Sequence, residues 1–200
     1  MATSTSTAAL VPFAPPDLSE REISEVVATL ESGWLSTGPR VKQFEQAFAN
    51  YVGAKHAVAV NSCTAALHLS LLASAIGHGD EVITTPLTFC ASANVVVHTG
   101  ATPIFADIDP ITMNLDPGQI ERHITPKTSA ILAVHCYGRP CDVAAIEAIA
   151  KTHKLKVLYD AGHAFAVRHN DQSVLNYGDL SVLSFHATKV FNTFEGGAVT

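Results

Sequence analysis

Short apolar runs alternate with amphipathic stretches along most of this 200-residue chain. The runs that we predict as strands are 56–60, 81–84, 102–106, 129–134, 156–159 and 180–185. The helical stretches predicted between the first five of them are 64–76, 91–98, 117–123 and 142–153. Strands that are apolar throughout and separated by helices are typical of a largely parallel sheet with helices on both faces. We therefore predict an α/β fold.

Two more helices are predicted ahead of the first strand. Ser19 and Glu22 have the spacing of a capping box at the start of a helix over 19–32. A second helix is predicted over 39–51, because apolar residues recur on one face and Gly53 follows as a stop. Both helices carry more apolar surface than one sheet edge needs, so we expect part of that surface to contact another subunit.

The two ends of the chain differ from its regular middle. Residues 1–10 are rich in Ala, Ser and Thr and lack the basic and apolar segments of a signal peptide, so we expect a disordered leader. Residues 195–200 indicate a turn that enters a further strand just as the sequence ends. We therefore expect residues 11–200 to form an N-terminal arm and an incomplete large domain, with apolar area and strand edges left exposed.

Composition and charge argue against several classes of function. Twelve basic and 18 acidic residues give a net charge of −6, which disfavours binding to nucleic acid or to an anionic membrane. No apolar run reaches the roughly eighteen residues of a transmembrane helix. The 10 histidines include no pair at i and i+4, and no Cys-x-x-Cys spacing occurs, so we expect no metal site. Without a secretory signal, the four cysteines favour buried free thiols and a cytoplasmic location.

The loops that follow the strands are where chemistry is expected. Right-handed crossovers place the C-terminal ends of parallel strands along one edge, where α/β sheets bind ligands. After strand 56–60, residues 61–66 are small or carry hydroxyls and open a helix, whose free N–H groups favour an anion. A serine or threonine at such a position is more often only a helix cap. Phe89 follows strand 81–84 and could stack on a flat ring, although a phenylalanine buried under the loop is the commoner case.

Two charged residues follow later strands. Asp160 follows strand 156–159, and an acid there needs a partner, which a protonated pyridine nitrogen, a helix cap or backbone N–H groups would each provide. Lys189 follows strand 180–185. A desolvated lysine reacts with carbonyl groups, whereas most lysines are solvated on the surface. An anion site, an aromatic ring, an acid and a lysine at one sheet edge are together what pyridoxal 5'-phosphate (PLP) requires.

Several ordered motifs give the chain a family resemblance. They are SGWLSTGP (32–39), NSCTAALHL (61–69), GDEVITTPLTFCASANVV (79–96), GATPIFADID (100–109), VHCYGRPCD (134–142), YDAGHA (159–164) and SFHATK with EGGAVT (184–200). From about Pro12 to Thr200, the chain resembles the DegT/DnrJ/EryC1/StrS family of PLP-dependent sugar aminotransferases. The resemblance implies the large domain of the aspartate aminotransferase-like fold (PLP transferase fold type I), truncated before the small C-terminal domain, since relatives are about twice as long.

The resemblance also assigns roles to individual residues. Lys189 matches the lysine that links covalently to the cofactor and later moves a proton between substrate and cofactor carbons. Asp160 matches the carboxylate that keeps the pyridine nitrogen protonated, and Phe89 matches the aromatic that stacks on the ring. His163 matches a Gln or His beside the ring oxygen. The phosphate-binding positions are matched by Thr64, Ala65 and Ser184.

The activity that the resemblance implies is transfer of an amino group to a nucleotide-diphospho-keto-sugar, with glutamate as the expected donor. The sequence of residues 186–189 and 195–197 resembles that of family members that aminate C4 of a keto-sugar more than that of members that aminate C3. This favours a 4-keto-6-deoxyhexose as the substrate. The expected setting is amino-sugar or surface polysaccharide biosynthesis by a cytoplasmic homodimer of the full-length protein. The alternative is a catalytically inactive fragment or regulatory partner that retains the fold. An NAD-dependent enzyme is disfavoured, since no Gly-x-Gly-x-x-Gly follows a first strand.

Overall fold

A seven-stranded sheet forms the centre of the computed structural model, which describes residues 15–200. The predicted leader (1–10) lies outside the described residues. The strands in chain order are β1 (Val58–Val60), β2 (Glu81–Thr84), β3 (Thr102–Phe105), β4 (Thr128–Val134), β5 (Lys156–Asp160), β6 (Arg168–His169), β7 (Gln172–Ser173), β8 (Leu180–Ser184) and β9 (Gly197–Val199). The sheet has the order β1–β9–β8–β5–β4–β2–β3, while β6 and β7 form a separate hairpin.

The predicted α/β architecture is confirmed. The neighbouring pairs β2–β3, β2–β4, β4–β5 and β5–β8 are all parallel. Strand β9 is antiparallel to both of its neighbours, β1 and β8. It therefore pairs along both sides, and the strand predicted within residues 195–200 is confirmed. The connection from β5 to β8 contains the β6–β7 hairpin where the earlier strand connections contain a helix.

Six helices accompany the sheet within residues 15–200, and each was predicted to within three residues at either end. They are α1 (Glu20–Glu31), α2 (Pro39–Val52), α3 (Cys63–Ala73), α4 (Ala91–His98), α5 (Pro117–Arg122) and α6 (Val143–His153). The predicted capping box at Ser19 and Glu22 is present. The third helix ends at Ala73, earlier than predicted, because Ala75 adopts a positive φ of 57° that turns the chain.

Both faces of the sheet are covered by helices. On one face, α3 and α4 pack against the sheet in a cluster that includes Leu67 and Leu132. On the other face, α5 and α6 pack in a cluster that includes Ile131 and Ile146. A third cluster lies beneath α2, where Phe48 packs edge-to-face on Phe185 with ring centroids 5.4 Å apart. Burial on both faces explains why the strands are apolar throughout.

Helix α1 is the exception, since it has no buried residue. Its apolar side chains are the exposed residues Ile23, Val26, Val27 and Leu30. In the described part of the chain, none of the helices is long and apolar enough to cross a membrane.

Candidate active site

A cavity of about 540 Å³ opens at the edge of the sheet where β4, β5 and β8 end. Six of the seven predicted site residues line it, namely Thr64, Phe89, Asp160, His163, Ser184 and Lys189. Ala65 does not, because its backbone N–H points to the helix cap and donates to the Ser62 hydroxyl at 3.1 Å. A larger and more open groove of about 950 Å³ lies between the end of α2 and the β6–β8 region, and it contains none of the predicted residues.

The Asp160 carboxylate lies at the end of β5 and is 8% exposed. Its Oδ1 accepts the backbone N–H of Gly162 at 3.0 Å and lies 3.9 Å from the Cys63 sulfur, within reach of the thiol hydrogen. Its Oδ2 accepts the Ser92 hydroxyl at 2.8 Å. Among residues 15–200, it forms no ion pair with a Lys, Arg or His nitrogen. The predicted alternative of a backbone N–H partner is therefore present at Oδ1. The carboxylate still faces the cavity without a paired cation, so the site fits a ligand that brings one, such as a protonated pyridine.

Phe89 follows β2 on a loop and is 73% exposed. The alternative of a phenylalanine buried under the loop is therefore wrong. Its ring lies at the cavity wall, where it can contact the face of a flat ligand.

Lys189 lies in the loop between β8 and β9 and is partly buried at the cavity. Its backbone N–H donates to the carbonyl of His186 at 2.9 Å, which closes a turn around the lysine. The surface-lysine alternative is not supported, because the residue faces the same cavity as Asp160.

His163 faces the cavity next to Tyr137, with the two rings nearly parallel and their centroids 6.1 Å apart. Although the residue as a whole is exposed, crowding around its ring lowers the pKa of His163, and the positive charge of Lys189 lowers it further. The Asp160 charge acts in the opposite direction. The neutral imidazole is therefore favoured near neutral pH, with one nitrogen that can accept and one that can donate a hydrogen bond.

The start of α3 lies at the cavity, and free N–H groups at a helix start favour an anion. The Ser62 hydroxyl caps the helix, so the cap interpretation holds for this residue. Thr64 in the first turn remains exposed on the cavity. Strand β9 passes close behind, and a Cβ atom on Gly197 would lie 2.6 Å from the backbone nitrogen of Cys63. Only glycine allows β9 to approach the helix start so closely.

Sequence reasoning missed several residues of the site. Ser92, Cys63 and Gly197 all contact predicted residues or the α3 start. Ser92 was detectable in principle, since a serine on the buried face of an apolar helix needs a hydrogen-bond partner. All four cysteines are free, as expected. Cys136 and Cys141 are buried, whereas Cys63 is only partly buried and Cys90 is exposed, so the expectation of burial is wrong for Cys90 and only partly met by Cys63.

Comparison with known proteins gives the class of the chain. The spore coat polysaccharide biosynthesis protein SpsC of Bacillus subtilis (strain 168) is 55% identical over 190 residues, which are 95% of this chain and 49% of that protein. The dTDP-4-amino-4,6-dideoxy-D-glucose transaminase of Shigella dysenteriae is 49% identical over 182 residues, which are 88% of this chain and 49% of that protein. The PLP form of Spr1654 from Streptococcus pneumoniae matches with a TM-score of 0.92 and 37% identity, covering 95% of this chain and 52% of that one.

The structural match confirms the predicted aspartate aminotransferase-like fold, PLP transferase fold type I. The sequence profile of the DegT/DnrJ/EryC1/StrS aminotransferase family matches residues 16–200. Within the fold type I class, the chain belongs to this family. It spans about half the length of the curated relatives that it matches.

Proposed function

We propose that this chain supplies the cofactor-binding part of a PLP-dependent aminotransferase that acts on a nucleotide-diphospho-keto-sugar. The observation that carries the proposal is the buried Asp160 carboxylate, which shares a cavity with Lys189 and Phe89 and has no cationic partner among residues 15–200. PLP, when bound, supplies a ring that accepts the electrons released at the substrate carbon. Asp160 stabilises the proton on the ring nitrogen, which that chemistry requires.

The other residues bind the cofactor and move protons. The Nζ of Lys189 would hold the cofactor covalently and, as a free amine, would carry a proton between the substrate and cofactor carbons. Phe89 covers one face of the ring and excludes water from it. His163, with its lowered pKa, offers a hydrogen bond from a neutral imidazole to the ring oxygen.

The start of α3 binds the phosphate. Free N–H groups at a helix start favour an anion, and the hydroxyls of Thr64 and Ser184 lie at the same cavity. The backbone N–H of Ala65 already donates to Ser62. We therefore assign Ala65 a supporting place in the helix turn, with Thr64 and Ser184 as the hydroxyl ligands.

The names of the relatives and the family resemblance support the proposed substrates. The relative from Shigella dysenteriae is named for a dTDP sugar that carries its amino group at C4, which supports a 4-keto-6-deoxyhexose as acceptor. The resemblance supports glutamate as the amino donor, and a cytoplasmic setting where nucleotide sugars are made. The relative from Bacillus subtilis is named for spore coat polysaccharide biosynthesis, which supports a role in making a surface polysaccharide.

We also propose that the full-length enzyme is a homodimer. The exposed apolar residues of α1, including Ile23 and Leu30 at more than half exposure, are too many for a surface that stays in water. Sedimentation of the PLP-loaded enzyme should give the mass of a dimer. A fully active monomer would contradict the proposal.

The test is transamination of dTDP-4-keto-6-deoxyglucose with glutamate, followed by mass spectrometry of the sugar product. We expect the 200-residue chain alone to give no turnover, and its fusion to the C-terminal half of SpsC to give the 4-amino sugar. The Lys189→Ala fusion is the matched control and should be inactive. An inactive fusion that still binds PLP through Lys189 would favour the alternative of a regulatory partner, and robust turnover by the chain alone would show that a second half is not needed.

A further inference from the structure

The hydrogen bonds around Asp160 include one from a helix side chain whose position is otherwise apolar. Ser92 is fully buried on α4, and its neighbours on the same face are Ala91, Val95 and Val96. We propose that Ser92 is a positioning residue that holds the Asp160 carboxylate in one orientation towards the cavity, with Thr88 as the outer member of the same hydrogen-bonded chain. This inference rests on the function proposed above.

The direction of each hydrogen bond follows from counting protons. The Ser92 hydroxyl has one hydrogen and three possible acceptors in reach: the Asp160 Oδ2 at 2.8 Å, the Thr88 hydroxyl oxygen at 2.8 Å and the carbonyl oxygen of Phe89 at 3.3 Å. The carboxylate oxygen is the charged acceptor of the three, so the hydrogen bond to Asp160 is the strongest and takes the hydrogen. The Thr88 hydroxyl, 2.8 Å from the Ser92 oxygen, must then be the donor in that contact. The Thr88 hydroxyl therefore donates to the Ser92 hydroxyl, which donates to the carboxylate, and each of these hydrogen bonds strengthens the other.

The same turn also carries the ring-stacking aromatic. Phe89 lies between Thr88 and Ser92 in sequence, and its carbonyl accepts the backbone N–H of Ser92 at 3.1 Å. The stretch 88–92 therefore joins two predicted cofactor contacts, one to the ring face through Phe89 and one to the ring nitrogen through Asp160. A change at Ser92 should alter how the carboxylate meets the ring nitrogen, and so the acidity of that nitrogen.

The other donors to Asp160 bind the opposite carboxylate oxygen and so do not replace Ser92. The Gly162 N–H and the Cys63 thiol both reach Oδ1, whereas in residues 15–200 the hydrogen bond to Oδ2 comes from Ser92. Removal of the hydroxyl frees that oxygen and lets the carboxylate rotate about its last bond. The effect should therefore be partial, since two donors remain.

The experiment uses the full 200-residue chain loaded with PLP that is ¹⁵N-labelled at the ring nitrogen. The ¹⁵N shift reports directly whether that nitrogen is protonated, and it is followed against pH together with the affinity for PLP. For Ser92→Ala, we expect the nitrogen to lose its proton about one pH unit lower and PLP to bind about tenfold more weakly. Thr88→Val should shift the pH midpoint of nitrogen protonation in the same direction but by less. Ser92→Thr keeps a hydroxyl at this position and should give the midpoint of the unaltered chain.

Ser70→Ala is the matched control. Ser70 is also a buried helix serine, but its hydroxyl has no hydrogen-bond partner within the described residues. Its removal should leave the ¹⁵N midpoint and the PLP affinity unchanged. A Ser92→Ala chain that matches Ser70→Ala in both readouts would overturn the inference.

If the Ser92→Ala variant does not fold, the Thr88→Val variant provides the test. An unchanged ¹⁵N midpoint in Thr88→Val would overturn the proposed chain of hydrogen bonds. Failure of the unaltered chain to bind PLP would instead overturn the proposed function, and the inference with it.

Discussion

The substitution Gly197→Ala tests whether the start of α3 is a phosphate site, because the structure leaves no room for a side chain at position 197. A Cβ atom at this position would lie 2.6 Å from the backbone nitrogen of Cys63 and 2.6 Å from the carbonyl carbon of Ser62. Ordinary contact begins at 3.4 Å, so Gly197→Ala must push β9 and the α3 start apart by close to the difference between those distances. Both obstacles are backbone atoms, which cannot rotate away. Overpacking of this kind costs about 1–3 kcal/mol of unfolding free energy.

The assay compares binding of PLP with binding of pyridoxal, which lacks the phosphate. If the α3 start binds the phosphate, Gly197→Ala should weaken PLP binding about tenfold and change pyridoxal binding much less. Gly77→Ala is the control, since its new Cβ would meet only the carbonyl of Thr99 at an ordinary 3.5 Å. Urea unfolding of both variants gives the stability cost. Equal loss of PLP and pyridoxal affinity would refute the phosphate assignment, and unchanged stability would refute the packing argument.

Three further predictions concern single residues. Lys189→Ala should abolish the covalent link to PLP that borohydride makes permanent, as peptide mass spectrometry would reveal; a link that persists would contradict the assignment. Asp160→Asn should bind PLP but lose most turnover in the SpsC fusion, since a charge-assisted hydrogen bond contributes about 1.5–3 kcal/mol; full activity would mean that another group meets the ring nitrogen. Burial, and secondarily the His169 charge, lower the pKa of His135 from 6.5 to about 4. As the pH falls, His135 is therefore protonated in the unfolded chain before it is protonated in the folded one. The unfolding free energy should then fall by about 3 kcal/mol from pH 6.5 to 4. His135→Gln should flatten that dependence, and an unchanged urea-denaturation profile would contradict it.

The order of strands and helices was predictable because it depends on local patterns. Apolar runs and the capping box at Ser19 are local signals, and both are confirmed. The position of β9 between β1 and β8 was not predictable. Its register pairs Gly197 with Val60, which is far away in the sequence, and with Ser184, which lies on the other side of a loop. No local pattern in a three-residue strand specifies such partners.

The site was predictable to the extent that topology alone brings residues together. Parallel strands end at one edge, so Asp160 and Phe89 could be assigned to the same cavity from their positions after β5 and β2. Hydrogen-bond partners depend on side-chain direction, which spacing does not give. That is why the bond from Ser92 to Asp160, made across 68 positions of sequence, had to come from the structure.

The reversed direction of β9 explains how Lys189 reaches the site. After β8 ends at Ser184, the chain turns over the cavity and returns as β9, with Gly196 O accepting the N–H of Phe185 at 2.9 Å to close the loop. Because β9 runs between β8 and β1, the loop that carries Lys189 lies beside the turn that joins β1 to α3. A parallel β9 would have required a crossover connection that carries the chain away from this edge of the sheet. The antiparallel return thus places the lysine and the proposed phosphate site on neighbouring loops that line the same cavity.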